Sequence, residues 1–242
     1  MQVYGHRGAA GEAPENTIAG CLHAIERGAR HVEIDLRLSA DDQLIVIHDK
    51  TLTRTTGKWG KPSRYKASEL ATMDARADGT PWPRKKNCGI PTLDALLKAT
   101  DKIKRYQLEV KPDSKAVLKR IAWNLADRFE TAEAARKVVV TSSNYFLHKY
   151  LADIAPHLKR GLVITRPGSF SNLDELGCDY CSMHWSACNP FTVKQLKKHD
   201  IHISVWTVND AQIIRNLHRI KVDSVITDYP SMAVPLVAAL ER

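Results

Sequence analysis

Two rhythms of apolar residues alternate along this chain. Short runs rich in Val, Ile and Leu are separated by longer stretches in which apolar positions recur every three or four residues. The first rhythm is that of strands and the second that of helices. Residues 3–6 predict a short strand ending at Arg7-Gly8, where Gly8-Ala9-Ala10-Gly11 lets the backbone turn sharply. Asn16 or Thr17 then caps a helix with Ile18, Cys21, Leu22 and Ile25 on one face. Residues 31–36 predict a second strand and 44–48 a further strand-like run, joined by the turn Ser39-Ala40-Asp41-Asp42-Gln43. That turn is too short for a parallel crossover, so the two runs form an antiparallel hairpin. Folding back about Asp41 returns His48 to the level of Glu33 and Asp35. A register that pairs His48 with either of them puts all three on one face, a slip by one residue points His48 away, and the sequence leaves the choice open.

Residues 50–89 contain Pro62, Pro81 and Pro83, several glycines and one short helix candidate over 68–73. The segment is too long for an ordinary connection, and it reads as a small insertion packed over a site. Beyond it the alternation is regular. Strands are expected at 106–110, 138–141, 162–165, 180–184, 203–208 and 224–227, with helices at 92–99, 114–129, 145–154, near Leu173, and at 191–199 and 211–217. Without the hairpin arm this makes eight strands separated by helices, the pattern of a (β/α)8 TIM barrel. The 242 residues fit one such domain, with the insertion inside it.

Composition narrows the class. Hydrophobic content of 43% and charge of 26% are ordinary for a globular protein and exclude disordered and fibrous classes. Residues 232–240 are too short an apolar run to span a bilayer and read as a terminal helix; no transmembrane segment is expected. The first motif begins at Gly5, which leaves no room for a signal peptide, so the expected compartment is the cytoplasm. Five cysteines, an odd number, then read as reduced thiols. Cys178-x2-Cys181-x2-His184-x3-Cys188 has the residue types of a zinc site but only one paired knuckle, and it reads more simply as a strand with small buried residues. The net charge of +9 would suit nucleic acid, an anionic surface or a phosphorylated small molecule. Much of it lies between Lys50 and Lys86, in Arg54, Lys58, Lys61, Arg64, Lys66, Arg76, Arg84 and Lys85, and such runs are ordinarily solvated faces. No aromatic stacking platform of a base-reading fold accompanies it, so no nucleic-acid partner is expected.

The chemistry gathers at the strand ends. Glu33 and Asp35, two residues apart in an apolar β-branched run, point to the same side of their strand. Like charges that close resist desolvation, and a divalent cation is the simplest compensation. Glu109-x-Lys111 repeats the spacing on a later strand, so Glu109 joins the same inward face. Three carboxylates with water and a phosphate oxygen suit Mg²⁺ or Ca²⁺. His6 and His48 flank the acidic face as a general acid and base, and Arg7 and Lys111 supply fixed positive charge. In a TIM barrel all of these fall at the C-terminal rim, with Trp206, Asn209 and Asp228.

His6-Arg7-Gly8, Pro14-Glu15-Asn16-Thr17, Glu33-x-Asp35, His48-Asp49, Arg54-Thr55-Thr56, Ile90-Pro91-Thr92-Leu93, Glu109-x-Lys111-Pro112, Trp206-Thr207-Val208-Asn209 and Thr227-Asp228 succeed one another in this chain. In that order they resemble the glycerophosphodiester phosphodiesterase family, bacterial type. The resemblance implies metal-dependent hydrolysis of a glycerophosphodiester to sn-glycerol 3-phosphate and an alcohol. It implies Glu33, Asp35 and Glu109 as metal ligands and His6 and His48 as the catalytic pair. It also suggests Trp206 as a surface for the glycerol carbons. Arg7 and Lys111 would hold phosphate oxygens, and Glu15 and Asn16 either bind substrate or set the turn. Two other readings stand beside it: a lysophospholipase-D-like activity, which needs an apolar groove for an acyl chain, and a non-catalytic metal- or phosphate-binding barrel, which would have no use for two proton-transfer groups.

Overall fold

Strands and helices alternate through almost the whole of the computed structural model, which describes residues 1–77, 79, 81–83, 85–166 and 172–242. Arg84 of the basic stretch lies outside the described residues. The first elements are β1 (Gln2–His6), α1 (Ile18–Glu26), β2 (His31–Leu38), β3 (Leu44–Val46), α2 (Thr53–Thr56), α3 (Ala67–Leu70), α4 (Leu93–Ala99) and β4 (Arg105–Val110). There follow α5 (Lys115–Arg128), α6 (Ala132–Ala135), β5 (Val138–Ser142), α7 (Tyr145–Ile154), β6 (Arg160–Ile164), α8 (Asn172–Leu176) and β7 (Tyr180–His184). The chain ends with α9 (Pro190–Lys197), β8 (His202–Trp206), α10 (Ala211–Arg219), β9 (Ser224–Thr227) and α11 (Pro230–Leu240).

Eight of the strands run parallel in the order β1-β9-β8-β7-β6-β5-β4-β2, and pairing of β1 with β2 closes them into a TIM barrel. Alternate residues of each strand face the helices and the barrel interior: Ile34, Leu108, Val140, Ile203 and Val225 are fully buried in the apolar clusters under the helices, while Gln107 and Ser182 meet inside the barrel through a hydrogen bond of 3.0 Å. Helix starts are held by side-chain caps: Thr17, Thr92, Ser114, Asn144 and Asn189 each accept a backbone N–H, typically about 1 kcal/mol apiece.

The hairpin forms as expected, and its register is the slipped one. β1 pairs with β2 only as far as His6 opposite Glu33. Past that point β3 takes over the vacated edge of β2, with Leu36 opposite Val46 and Leu38 opposite Leu44. Continued outward, this register would set His48 opposite Ile34, not Glu33 or Asp35, and so point it away from them. The ladder ends one bond later: Ile47 N–H donates to the Asp35 carbonyl (3.0 Å), and the chain then bends at His48, which frees its side chain to turn towards the acidic face.

The stretch after the hairpin folds around a core of its own. Ile45, Ile47, Leu52, Leu70, Met73 and Ile90 are buried together, with Tyr65 against them. The helix expected over 68–73 is the shorter α3, and α2 and a 3-10 turn (Pro62–Arg64) precede it. Trp59 stands 86% exposed there.

Candidate active site

The residues singled out above meet at the C-terminal ends of β1, β2, β4 and β8. His6 ends β1 and Arg7 follows in a left-handed conformation (φ 49°), with Gly8 at φ 88°. A Cβ on Gly8 would lie 2.8 Å from the Cys21 nitrogen, so only glycine lets α1 approach this turn. The turn aims the Arg7 backbone N–H at Glu33 Oε2 (3.2 Å) and its guanidinium at Asp35 Oδ2 (3.3 Å). On β2 and β4, Asp35 stands directly opposite Glu109, which sets the second and third carboxylates side by side.

Oxygens of Glu33, Asp35 and Glu109 all lie within 4.8 Å of one another. Ligands on either side of one Mg²⁺ or Ca²⁺, each about 2.1–2.6 Å from it, would be about 4–5 Å apart. Glu33 Oε1 is buried with no hydrogen-bond partner among the described residues, an orphaned acceptor of the kind a cation satisfies. Burial, then the charges of Asp35 and Glu109, push the Glu33 carboxyl well above the usual range. Burial also acts on Asp35, but Arg7, Lys111, His48 and the Asn16 amide outweigh it and hold Asp35 low. The donor set and the electrostatics thus fit a hard divalent cation.

Each histidine is held by a carboxylate. His6 Nδ1 sits 2.6 Å from Asp228 Oδ1, and its Nε2 turns inward to 3.9 Å from Glu33. Asp228 is fixed by Asn209, whose amide donates to Oδ2 (2.6 Å) and accepts from the Asp228 backbone (2.9 Å). Burial raises Asp228, but its bond to His6 outweighs that and keeps it ionised. His48 Nδ1 sits 2.7 Å from Asp49 Oδ1. Arg54 clamps Asp49 (2.7 and 3.1 Å) and drives its pKa far down. Both rings keep Nε2 for the cavity, as a proton-transfer pair requires. Asp49 and Arg54 are additions to the expected site, and Asn209 and Asp228, expected at its rim, gain a role there; each sits inside a motif quoted above.

His6, His48, Arg7, Lys111 and the three carboxylates line one cavity of about 150 Å³, closed by Gln107, Ser182, Trp206, Thr207 and Ile226. Lys111 Nζ lies 2.5 Å from Glu109 and 3.5 Å from Asp35. Trp206 offers its ring to the cavity, edge-on to His184 (centroids 5.4 Å). Glu15 and Asn16 stand behind this wall. Asn16 is buried (3% exposed) and spends both ends of its amide on Asp35, at 2.7 and 3.1 Å. Glu15 bridges Arg7 (3.1 Å) and Arg54 (2.7 and 2.8 Å), tying the insertion to the barrel rim. Arg54 is therefore not part of a solvated face.

The cysteine cluster does not assemble. Cys178 and Cys181 are buried in the barrel core with Cys188 packed against it, while His184 turns to Ser186. Burial pushes Cys178 up to about 11, so these thiols stay protonated. Among the described residues the three carboxylates are the one metal-competent group. No described helix is long and apolar enough to cross a membrane.

Comparison with known proteins agrees with this geometry. The sequence model of the glycerophosphoryl diester phosphodiesterase family matches residues 6–232. A glycerophosphodiester phosphodiesterase of Caldanaerobacter subterraneus subsp. tengcongensis is 30% identical, with 97% of each chain covered. A phosphodiesterase of Oleispira antarctica, whose structure contains the product sn-glycerol-3-phosphate, superposes with a TM-score of 0.87 at 26% identity, covering 98% of this chain and 97% of that one. A lysophospholipase D of Mus musculus is 31% identical over 122 residues, 48% of this chain and 38% of that protein.

Proposed function

The chain belongs to the glycerophosphoryl diester phosphodiesterase family, and from that premise we propose that it hydrolyses glycerophosphodiesters such as glycerophosphocholine or glycerophosphoethanolamine to sn-glycerol 3-phosphate and an alcohol. One observation carries the proposal: three clustered carboxylates share a cavity of about 150 Å³ with two carboxylate-held histidines and two cations. Glu33, Asp35 and Glu109 would hold Mg²⁺ or Ca²⁺, which supplies Lewis acidity to a phosphoryl oxygen when bound. Asn16 acts through Asp35 by orienting its carboxylate.

Arg7 and Lys111 take the non-bridging oxygens, Arg7 as a fork and Lys111 as a point charge. One histidine accepts a proton from the attacking hydroxyl, either of water or of the glycerol 2-position. The other gives a proton to the oxygen of the departing alcohol as its bond to phosphorus breaks. If the glycerol hydroxyl attacks, the same pair used in reverse lets water open the cyclic phosphate, so one water is consumed by either route. Asp228 and Asp49 fix the tautomers and steady the imidazolium forms. Trp206 covers the glycerol carbons. Five cysteines without disulfides suit a reducing, cytoplasmic setting.

The cavity offers little for an acyl chain. Its large apolar walls are Trp206 and Ile226, and the apolar cleft of about 460 Å³ between the insertion and α4 shares no lining residue with it. This favours the short diester over a lysophospholipid. Release of glycerol 3-phosphate from glycerophosphocholine, followed with chelator and with Mg²⁺ or Ca²⁺ restored, tests the reading. Release should require metal and fall about 10²–10⁴-fold in His48→Ala. Cleavage of lysophospholipid in place of the short diester would overturn it, and so would full activity under chelation.

A further inference from the structure

We propose a second anion-binding subsite beside the reaction centre, which takes a leaving alcohol that is itself negatively charged, such as one bearing a phosphomonoester. The proposal rests on the phosphodiesterase reading above and concerns which diester the site prefers. A separate cavity of about 290 Å³ lies between the β2–β3 hairpin, the Pro62–Arg64 turn and the start of α5. Arg37, Lys50, Lys61 and Arg120 line it, against one lining carboxylate, Asp113.

Its position follows from the chain. Arg37 lies two residues beyond Asp35 on β2 and therefore on the same strand face. Lys50 lies two residues beyond His48, and Asp113 two beyond Lys111. Two residues of β2 advance about 7 Å, so Arg37 stands one layer out from Asp35, and its bond to the His48 carbonyl puts the cavity on the His48 side of the reaction centre. Trp206 closes the reaction cavity from β8 instead. At about 150 Å³ that cavity leaves little room beyond phosphoryl and glycerol groups, and a departing alcohol must extend out of it.

The lining is built to receive charge. Arg37 is only 9% exposed and is fixed by donating from Nε to the His48 carbonyl (2.9 Å). Its Nη1 stays 3.8 Å from Asp113, too far for a hydrogen bond. Neither Lys50 nor Lys61 has an ion-pair partner among the described residues. Of the four cations only Arg37 is buried; Lys50, Lys61 and Arg120 stand exposed around it, Arg120 paired with Asp42, and a multivalent anion would draw in the two unpaired lysine ammoniums while accepting bidentate hydrogen bonds from Arg37. The bond from Arg37 to the backbone of His48 also ties occupancy of this layer to the catalytic histidine.

The test compares glycerophosphocholine with glycerophosphoglycerol phosphate, whose leaving alcohol carries a phosphomonoester, on wild type and on the Lys50→Ala/Lys61→Ala double variant. Wild type should show a KM about tenfold lower for the phosphorylated diester. The double variant should lose that preference while kcat and KM for glycerophosphocholine stay within about twofold. Equal KM values in wild type, or a preference unchanged in the variant, would overturn the subsite. Inorganic phosphate separates a subsite from an independent anion site. Competition with the phosphorylated diester alone supports the proposal, whereas binding that the variant abolishes but that competes with neither diester overturns it. Failure of wild type to cleave either diester would contradict the parent reading. Calorimetric binding of the two diesters still decides the pocket in that case: tighter binding of the phosphorylated one to wild type alone supports it, and equal binding refutes it.

Discussion

At the scale of single residues, the two cavity histidines are each held by a carboxylate set behind the ring. His6 and His48 are ordinary imidazoles until Asp228 and Asp49 hold them with Nε2 facing inward. Replacing either aspartate with asparagine keeps the shape but removes the charge that steadies the protonated ring. For Asp49→Asn and Asp228→Asn we expect kcat to fall about 10–100-fold, less than the loss in His48→Ala, with KM little changed and an unaltered circular dichroism spectrum. Steady-state kinetics on glycerophosphocholine decide this; a rise in KM alone would place the two aspartates in substrate binding. The pairs differ in how visible they are beforehand. Asp49 adjoins His48 in one dipeptide, whereas Asp228 lies 222 residues from His6 and meets it only because β9 is hydrogen-bonded to β1.

At the scale of elements, the turn after β1 sets the geometry of everything above it. Arg7 and Gly8 both have positive φ, and this reverses the chain tightly enough to direct the Arg7 N–H and guanidinium at the acidic face. Alanine at Gly8 would combine a disfavoured φ of 88° with a Cβ 2.8 Å from the α1 backbone. Gly8→Ala should therefore destabilise the fold by about 1–3 kcal/mol or more in urea unfolding and lower activity in the protein that remains folded. A neutral result would mean that α1 shifts freely. The hairpin carries the same lesson in another form. The apolar run at residues 44–47 marks a strand, but where that strand stops depends on how far β1 occupies the neighbouring edge of β2. The orientation of His48 follows from that stop.

At the scale of the whole molecule, burial sets the response to acid. His148 is fully buried, bonded through Nε2 to the Ser142 carbonyl (2.8 Å), and burial pulls its pKa from an ordinary 6.5 down to about 4. His31 and His202, at the opposite end of the barrel from the reaction centre, are lowered to about 4 by the same cause. A histidine with a lower pKa folded than unfolded takes up its proton first in the unfolded chain. The stability it contributes is complete above about pH 6.5 and is lost as pH falls towards 4. Urea unfolding between pH 7 and 5 should show stability declining, by up to about 1.4 kcal/mol per pH unit for each proton taken up. His148→Gln should flatten that slope, and an unchanged slope would show that His148 takes up its proton equally in the folded and unfolded chain.

What the sequence determined by itself was whatever depends on neighbours along the chain. The two apolar periods mark eight barrel strands and their helices, because burial on both faces of a strand or on one face of a helix leaves its record within a few residues. The inward carboxylates of Glu33-x-Asp35 and Glu109 were legible for the same reason, since strand alternation alone sends them to one side. Tertiary structure alone decided the rest. Barrel closure joined His6 to Asp228, folding of the insertion brought Arg54 to Glu15 and Asp49, and the shared edge of β2 ended β3 at Val46. The layer of cations around Arg37 likewise draws on residues from the hairpin, the insertion and α5. Contacts of this kind are set by strand register and the packing of distant segments, and no local pattern records them.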